Sequence, residues 1–296
     1  ILLGLGKMTL VGLLAYRMRK LQIEDSEKYR LQAEENRINM RLIPPERGLI
    51  LDRRGKELAI NVGNYKLVIT SEKTRNPKAT LIKLAKLIDL EDDEINKILQ
   101  DINKRSPFVP VTIAEHLSWE SFSKVVLNLP ALPGISPEMG LTRHYKKATS
   151  IAHVVGYVGP VSRKDLEKFD SPDPVLQIPK FQIGKTGVER ELEEKLRGKA
   201  SLSKVEVNAA GRIIRETERI MGYAGANLRL TLDNNLQEYC HQRLSGLSAS
   251  CVLMDVNSGQ IIALASVPTF DPNKFVFGIS QKDWDSLLNN KLRPLS

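Results

Sequence analysis

The chain has 296 residues, of which 42% are hydrophobic and 27% charged. This length allows about two domains with sizeable cores, and the composition excludes a disulfide-stapled miniprotein, a disordered chain and a polytopic membrane protein. The formal net charge is +9, and residues 228–296 carry six basic and six acidic side chains, so the whole basic excess lies in residues 1–227. For the two cysteines, Cys240 and Cys251, the composition favours small buried hydrophobic side chains over a disulfide or a Cys-x-x-Cys site.

The N-terminal residues form an apolar stretch. Residues 1–16 are apolar except for Lys7 and Thr9, and a basic flank follows at residues 17–20. As a helix this stretch spans about 24 Å, short of the roughly 30 Å of a hydrocarbon core. It predicts the inner part of a membrane helix whose start is missing, in preference to a buried core helix or to a cleaved signal peptide, because no small-residue cleavage site follows. The basic flank by itself favours a cytoplasmic location for the residues after it.

The next part of the chain predicts strands and short amphipathic helices. Residues 26–39 are charged and predict a helix, whereas residues 48–69 predict strands joined by a tight turn at Asp52-Arg53-Arg54-Gly55. Residues 108–114 predict a strand, and Ser118 predicts the N-cap of a helix. Residues 130–180, rich in Pro and Gly, predict loop with short strands. Two further helices are predicted by the apolar spacing of Leu81, Leu84, Leu87 and Ile88, and of Ile95, Ile98, Leu99 and Ile102.

The last third predicts two hairpins and two helices. Thr186-x-x-Glu189 predicts a capping box that opens a helix, with Gly198 just beyond its end. Residues 204–208 and 212–216 predict a hairpin, and residues 227–232 predict a strand. Asp233 predicts the N-cap of a helix that runs to residue 244. Residues 250–266 predict a second hairpin around a turn at Asn257-Ser258-Gly259.

Two motifs typical of serine acyltransferases that react with penicillin occur in the chain. They are Ser-x-x-Lys, at Ser121/Lys124 and Ser201/Lys204, and Lys-Thr-Gly at residues 185–187. In such enzymes the serine attacks a carbonyl, the lysine takes its proton, and Lys-Thr-Gly lines the pocket. Chance alone predicts about as many Ser-x-x-Lys pairs for this composition, and the predicted local structure is a polar helix side, a linker and a helix start. None of the three motifs is therefore predicted to be catalytic.

Other kinds of site lack support in the sequence. The four histidines and two cysteines show no metal-ligand spacing, and no glycine-rich phosphate loop occurs. Aromatic residues make up only 5% of the chain, and basic residues alternate with acidic ones, so no nucleic-acid platform is predicted.

Several stretches, taken in order, resemble one family, the class B penicillin-binding proteins, and within it the elongation-specific penicillin-binding protein 2 subfamily. The segment at residues 33–59, which includes Pro44-Pro-Glu-Arg-Gly48, is similar to the membrane-proximal signature of that family. The later matches are Leu132-Pro-Gly-Ile135, Ala152-His-Val-Val-Gly-Tyr-Val-Gly159, Gly184-Lys-Thr-Gly-Val-Glu189, Leu196-Arg-Gly198, Glu206-Val-Asn208, Gly211-Arg212, Leu230-Thr-Leu-Asp233, Met254-Asp255 and Ser266-Val-Pro-Thr-Phe-Asp-Pro-Asn273. The resemblance covers the whole chain.

The chain departs from the family pattern in two places. It reads Arg143-His-Tyr-Lys146 where the family usually has Arg-x-Tyr-Pro. It also stops at Arg293-Pro-Leu-Ser296, shortly before the place where the family has its catalytic Ser-x-x-Lys. The resemblance therefore puts the nucleophile and its partner motifs beyond this sequence, and no residue here is assigned a catalytic, cofactor-binding or metal-binding role.

The resemblance implies an α+β architecture in three parts. These are a single N-terminal membrane helix at residues 1–21, an elongated pedestal domain of the penicillin-binding protein dimerisation type at residues 22–227, and the truncated start of an α/β serine transpeptidase domain at residues 228–296. The family is anchored in the inner membrane by one helix with its bulk in the periplasm, opposite to the orientation that the basic flank alone favours. Because the rest of the catalytic sheet is absent, we expect the arms of the second hairpin, at Val252, Leu253, Ile261 and Ile262, to be partly uncovered.

The function implied by the resemblance is peptidoglycan D,D-transpeptidation during side-wall elongation. A serine would be acylated by a D-Ala-D-Ala donor, and β-lactams would trap the acyl-enzyme. The implied partners are peptidoglycan stem peptides, β-lactams, a SEDS-type membrane glycosyltransferase, rod-shape scaffold proteins and the lipid bilayer, with no cofactor and no nucleic acid. Two alternatives stay open: a non-catalytic anchored interaction module or split-gene remnant, and a division-type class B protein, which the segment Asn36-Arg-Ile-Asn-x-Arg-Leu disfavours.

Overall fold

The computed structural model describes residues 12–14, 16–20, 23, 38–167, 173–178, 180–208 and 213–295. The strands are β1 (Ile38–Ile43), β2 (Ile50–Leu51), β3 (Glu57–Ile69), β4 (Val111–Leu117), β5 (Ile135–Tyr145), β6 (Val158–Pro160), β7 (Gln182–Gly184), β8 (Ser201–Val207), β9 (Ile213–Ile220), β10 (Leu228–Arg229), β11 (Ala249–Met254) and β12 (Ile261–Val267). The α-helices are α1 (Pro77–Ala85), α2 (Asp92–Lys104), α3 (Trp119–Leu127), α4 (Ala148–Val155), α5 (Arg163–Leu166), α6 (Gly187–Glu191), α7 (Glu193–Arg197), α8 (Asn234–Leu244) and α9 (Gln281–Leu288). The mixture of elements confirms the predicted α+β class.

The predicted membrane anchor and the helix after it lie largely outside the described residues. Within the anchor, residues 12–14 and 16–19 are helical. No helix in the described ranges combines the length and the apolar character needed to cross a bilayer. Of the helix predicted at residues 26–39, only the last two positions are described, and they belong to β1.

The chain divides into two compact units, Ile1–Arg41 with Leu202–Ile220, and Leu42–Ser201 with Met221–Ser296. The smaller unit is built on a three-stranded sheet in the order β1-β8-β9. The predicted hairpin is confirmed here, although both strands are longer than expected. Val205 and Val207 of β8 are buried, while every residue of β9 is exposed.

The larger unit is organised around the long strand β3. Strand β5 pairs with it antiparallel over eleven positions, from Ala59↔Tyr145 to Ile69↔Ile135. Strands β2 and β4 pair with opposite ends of β3, and β10 extends the sheet by pairing parallel with β2. The predicted strands at residues 48–69 and their tight turn are thus confirmed. The strand predicted at residues 108–114 begins three residues later, at Val111.

The prediction that residues 130–180 are mainly loop is wrong, because this segment contains β5 and α4. The prediction depended on the Pro and Gly content of the segment, yet Pro137 lies within β5 opposite Leu67. Among the described strands β5 pairs only with β3, so it is an edge strand. A proline is tolerated on an edge strand because its missing N–H can face away from the neighbouring strand.

The helices predicted by apolar spacing cover the sheet and form its core. The predicted positions Leu81, Leu84, Ile95, Ile98 and Ile102 are all buried. They pack with Leu67 and Ile69 of β3 and with Phe122 and Val125 of α3. The predicted N-cap of α3 is confirmed, since the Ser118 side chain accepts a hydrogen bond from the backbone N–H of Ser121. Burial of this apolar stripe is the main source of local stability.

The C-terminal segment contains α8 packed against a two-stranded hairpin, as predicted. Asp233 caps α8 through the backbone N–H groups of Asn235 and Leu236. Strand β11 pairs antiparallel with β12, from Ala249↔Val267 to Met254↔Ile261. Within this hairpin Val252 is 55% exposed, and Leu253 and Ile261 are 36% and 37% exposed. The expectation of partly uncovered hairpin arms is confirmed for these three side chains.

Three backbone segments meet at Gly48 without room for a side chain. The Gly48 N–H donates to the Leu196 carbonyl at 2.8 Å, and the Gly225 N–H donates to the Glu46 carbonyl at 2.8 Å. A β-carbon at Gly48 would lie 2.0 Å from the carbonyl oxygen of Ala226, which is backbone and cannot rotate away. Only glycine permits this close approach.

We therefore predict that Gly48→Ala lowers the free energy of unfolding by about 3 kcal/mol or more, because backbone must shift to admit the methyl group. The matched control is Gly140→Ala, whose β-carbon would have no atom within 4 Å. Urea denaturation followed by circular dichroism measures both. Equal midpoints for the two variants would contradict the close approach at Gly48.

Candidate interaction site

The two Ser-x-x-Lys pairs are held in structural roles. Lys124 forms an ion pair with Glu120 at 2.8 Å, one turn away on α3, and Ser121 lies in the first turn of that helix. The second pair lies on strand β8 and not in the predicted linker. There Lys204 forms an ion pair with Glu218 at 2.6 Å, and the Ser201 hydroxyl accepts from the Gly222 N–H at 2.9 Å. Each lysine thus has a carboxylate partner.

The Lys-Thr-Gly motif likewise has a structural environment. Lys185 Nζ lies 2.5 Å from Asp165 Oδ2, and both side chains are largely buried. Burial alone would raise the pKa of Asp165, but hydrogen bonds from Lys185 and Ser162 lower it to about 2. Lys185 therefore remains paired with a carboxylate across the physiological pH range.

The capping box predicted at Thr186-x-x-Glu189 is wrong. Thr186 is the N-cap of α6, but its side chain makes no capping hydrogen bond. The carboxylate of Glu189 is fully buried and is bound instead by arginines from distant parts of the chain. The predicted helix is also interrupted at Leu192, which separates α6 from α7, while Gly198 ends α7 as expected with a φ of 72°.

Glu189 lies at the centre of a buried ion network. Arg47, from the loop between β1 and β2, donates from Nε to Glu189 Oε2 at 2.8 Å and from Nη2 to Glu193 Oε2 at 2.7 Å. Arg143, on β5, donates from Nε to Glu189 Oε1 at 2.7 Å. The Tyr145 hydroxyl donates to the same oxygen at 3.2 Å and accepts from the Val158 N–H at 2.8 Å. Side chains from the loop after β1 and from β5 therefore converge on one carboxylate of α6.

The titration behaviour of the network follows from its burial and its charges. Burial by itself would lower the pKa of Arg47, but Glu189 and Glu193 outweigh this and raise it above its ordinary value. Burial, together with the charge of Glu189, raises the pKa of Tyr145 well above its usual range. The tyrosine therefore stays protonated and donates, and Arg47 stays charged. The network holds the Glu189 carboxylate between positive charges and offers no proton for acid–base chemistry.

Sequence reasoning identified the stretches that contain Arg47, Arg143 and Glu189 but did not predict their contact. It missed Glu193, whose spacing of four residues from Glu189 on a helix was the available signal. It also missed Asn61, whose amide donates to the Arg47 carbonyl at 2.6 Å and whose oxygen accepts from Arg143 Nη1 at 3.2 Å. No pattern in β3 distinguishes Asn61 from a solvent-facing strand residue.

A cleft of about 600 Å³ opens beside this network, and Arg47 and Arg143 contribute to its lining. Apolar side chains line the cleft from the end of β1 and the residue after it, from β5, from the residue before β7, and from the segment before α9. These side chains are Ile43, Pro44, Leu141, Phe181 and Phe277. Leu141 is 53% and Phe277 44% exposed. The size and mixed character of the cleft suit side chains of a bound molecule.

The polar wall of the cleft combines paired charges with buried donors. Lys66 is paired with Glu138 at 2.8 Å, and Lys180 with Glu115 at 2.5 Å. By contrast, Arg143 Nη2 and Arg197 Nε are buried and have no hydrogen-bond partner within the described part of the chain. Guanidinium groups with spare donors bind carbonyl and carboxylate oxygens well.

His116 closes one end of the cleft. Its ring packs against Phe277 with centroids 3.3 Å apart, and its Nδ1 lies 2.9 Å from Asn64 Oδ1. Burial lowers the pKa of His116, so the imidazole is neutral at pH 7. His116 is thus an uncharged side chain beside the ion pair of Lys180 and Glu115. Among the described residues no group of His, Cys, Asp and Glu side chains is arranged to hold a metal ion.

We predict that Glu189→Gln lowers the free energy of unfolding by about 3–5 kcal/mol, because it leaves two buried guanidinium groups without full compensation. The control is Glu191→Gln, two residues away, whose side chain is 66% exposed and paired with Arg190. That control should change stability by less than about 0.5 kcal/mol. Urea midpoints measure the difference, and similar losses for both variants would refute a central role for Glu189.

Comparison with known proteins identifies relatives along the whole chain. The chain is 35% identical over 292 residues to peptidoglycan D,D-transpeptidase MrdA of Escherichia coli K12, covering 98% of this chain and 46% of that protein. MrdA of Haemophilus influenzae is also 35% identical, with 98% and 45% covered. Penicillin-binding protein 3 of Bacillus subtilis is 32% identical over 89% of this chain and 38% of its own length. The chain thus spans less than half the length of each of these relatives.

The fold has a close counterpart among solved structures. The complex between penicillin-binding protein 2 (PBP2) and MreC from Helicobacter pylori matches with a TM-score of 0.72 and 26% identity, covering 88% of this chain and 48% of that one. The sequence profile of the penicillin-binding protein dimerisation domain matches residues 42–230. These findings confirm the resemblance predicted from the motifs. Because the matched residues make up more than half of the chain, this protein belongs to the penicillin-binding protein family that carries this dimerisation domain.

Proposed function

We propose that this chain is the pedestal-bearing part of a peptidoglycan D,D-transpeptidase that acts in side-wall elongation. The similarity to MrdA proteins, which extends over 98% of the chain, supports this proposal. The proposal includes the domain limits predicted from the sequence. These are an anchor at residues 1–21, a pedestal at 22–227 and the start of a transpeptidase domain at 228–296. The transpeptidase reaction, its acyl-enzyme and the binding of stem peptides and β-lactams belong to the whole protein.

We further infer that the whole protein is held in the inner membrane by one helix and that its bulk lies in the periplasm, where its substrate is found. The apolar residues 1–16 with their basic flank support the anchor. A SEDS-type glycosyltransferase is the membrane partner that the family resemblance favours.

Labelling with a fluorescent penicillin tests the proposed activity. The full-length product of the gene should form a covalent acyl adduct, whereas a protein limited to these 296 residues should not, because Lys124 and Lys204 are both engaged by carboxylates. Absence of a labelled full-length band would overturn the transpeptidase proposal. A labelled band from the 296-residue protein that disappears in Ser121→Ala or Ser201→Ala would assign the nucleophile to this chain and contradict our interpretation of these pairs.

For the pedestal we propose a docking role, in which the cleft beside the arginine network binds a rod-shape scaffold protein of the MreC type. The observation that supports this is the structural match to a PBP2 solved in complex with MreC. The cleft offers half-exposed apolar side chains at Leu141 and Phe277 for packing. The cleft also carries the partly exposed lysines Lys66 and Lys180 in its polar lining. Apolar packing surrounded by polar groups is typical of a specific interface.

The docking proposal predicts that Leu141→Asp weakens binding of the scaffold protein from the same organism at least tenfold, because a carboxylate would be placed against the apolar wall of the interface. Leu127→Asp is the matched control, since Leu127 is 81% exposed on α3 and does not line the cleft. Isothermal titration calorimetry with the soluble scaffold domain measures both variants. Equal dissociation constants for both variants and the unmodified protein would place the interface elsewhere.

A further inference from the structure

The only two cysteines of the sequence lie together, although eleven positions separate them along the chain. Cys240 is in α8 and is 8% exposed, and Cys251 is in β11 and is half-buried. Both belong to one small cluster, in which Cys251, Leu236 and Leu244 pack against Cys240, Ala263 and Ala265. Helix α8 and strand β11 thus place both thiols in the same cluster, with Cys251 paired to Ala265 across the hairpin.

The surroundings of this pair permit the sulfur atoms to approach further. A disulfide needs a sulfur–sulfur distance of about 2.05 Å and β-carbons about 3.8 Å apart. The short connection between α8 and β11 contains Gly246, which has a φ of 84° and open space around its β-carbon position. The small side chains of Ala263 and Ala265 lie beneath the pair on β12. The buried neighbours of Cys240 in this cluster therefore carry only methyl side chains, which leave room for a small shift of β11 toward α8.

We propose that Cys240 and Cys251 are a redox modification site that forms a reversible disulfide bridge between α8 and β11. The oxidant is a thiol–disulfide exchange reagent of the low-molecular-weight or oxidoreductase class. The thiolate of Cys251 attacks one sulfur of that reagent and releases its first thiol. The thiolate of Cys240 then attacks Cys251 Sγ and releases the second thiol. Overall two protein thiols lose two electrons and two protons, and one external disulfide becomes two thiols.

The order of the two steps follows from the environments of the thiols. Burial, with the adjacent Cys251, raises the pKa of Cys240, so Cys240 is poorly suited to make the first attack. Cys251 is also the more exposed residue and is the one that an external disulfide can reach. Cys240 then acts as the resolving thiol, since it needs to reach only its neighbour.

The test uses the purified chain treated with oxidised glutathione and then with N-ethylmaleimide. The expected result is a protein without maleimide or glutathione adducts that has lost two hydrogen atoms by intact mass. Trypsin cleaves after Arg243, so the bridge should join two peptides that dithiothreitol separates. The oxidised chain should melt about 5 °C or more above the reduced chain, because the bridge closes a short loop.

Variants at each cysteine separate the bridge from a general effect of oxidation. Cys251→Ala and Cys251→Ser should both abolish the shift in melting temperature, while their reduced forms should melt close to the reduced unmodified chain. Cys240→Ala should leave a stable glutathione adduct on Cys251. Glutathione on both cysteines, a disulfide between two chains, or two maleimide adducts after oxidation would each overturn the proposal.

Discussion

A buried carboxylate needs compensating charges or hydrogen bonds. In the larger unit, the buried carboxylate of Glu189 receives them from distant segments of the chain. An uncompensated charge in an interior costs several kcal/mol, so removing either partner of such a pair is strongly destabilising. Here two arginines and one tyrosine bind the same carboxylate. Arg47 is 142 positions and Arg143 is 46 positions away from Glu189 in the sequence. The network therefore ties the loop after β1, the edge strand β5 and helix α6 into one arrangement.

The cleft depends on the same constraint, because Arg47 and Arg143 hold Glu189 and also line the cleft. Ion pairs fix both side chains, and Asn61 binds the Arg47 backbone carbonyl and Arg143 Nη1, so this wall of the cleft is preorganised. Preorganised donors lose little conformational entropy when a partner binds. This is the physical link between the stability of the unit and the docking role that we propose for it.

The sequence predicted local elements well where a single periodic pattern decides the structure. The helices with Leu81 and Ile95, the caps at Ser118 and Asp233, and both hairpins were predicted, because burial of an apolar stripe and capping are local properties. It failed for β5, since Pro137 carries no sign that it will lie on a sheet edge. It also failed for the capping box, because nothing near Glu189 shows that distant arginines bind its carboxylate more strongly than a backbone N–H does.

By itself, then, the sequence determined the α+β class, most element positions and, through an ordered set of motifs, the family. These are properties of short segments and of their order along the chain. Only the tertiary structure decided that Arg47, Arg143 and Glu189 form one network, that a cleft lies beside it, and that Cys240 contacts Cys251. For the two cysteines the composition had favoured small buried hydrophobic side chains over a disulfide. Their proximity depends on how β11 packs on α8 and not on their spacing in sequence. Contacts of this kind are set by the packing of the whole chain, which no local pattern encodes.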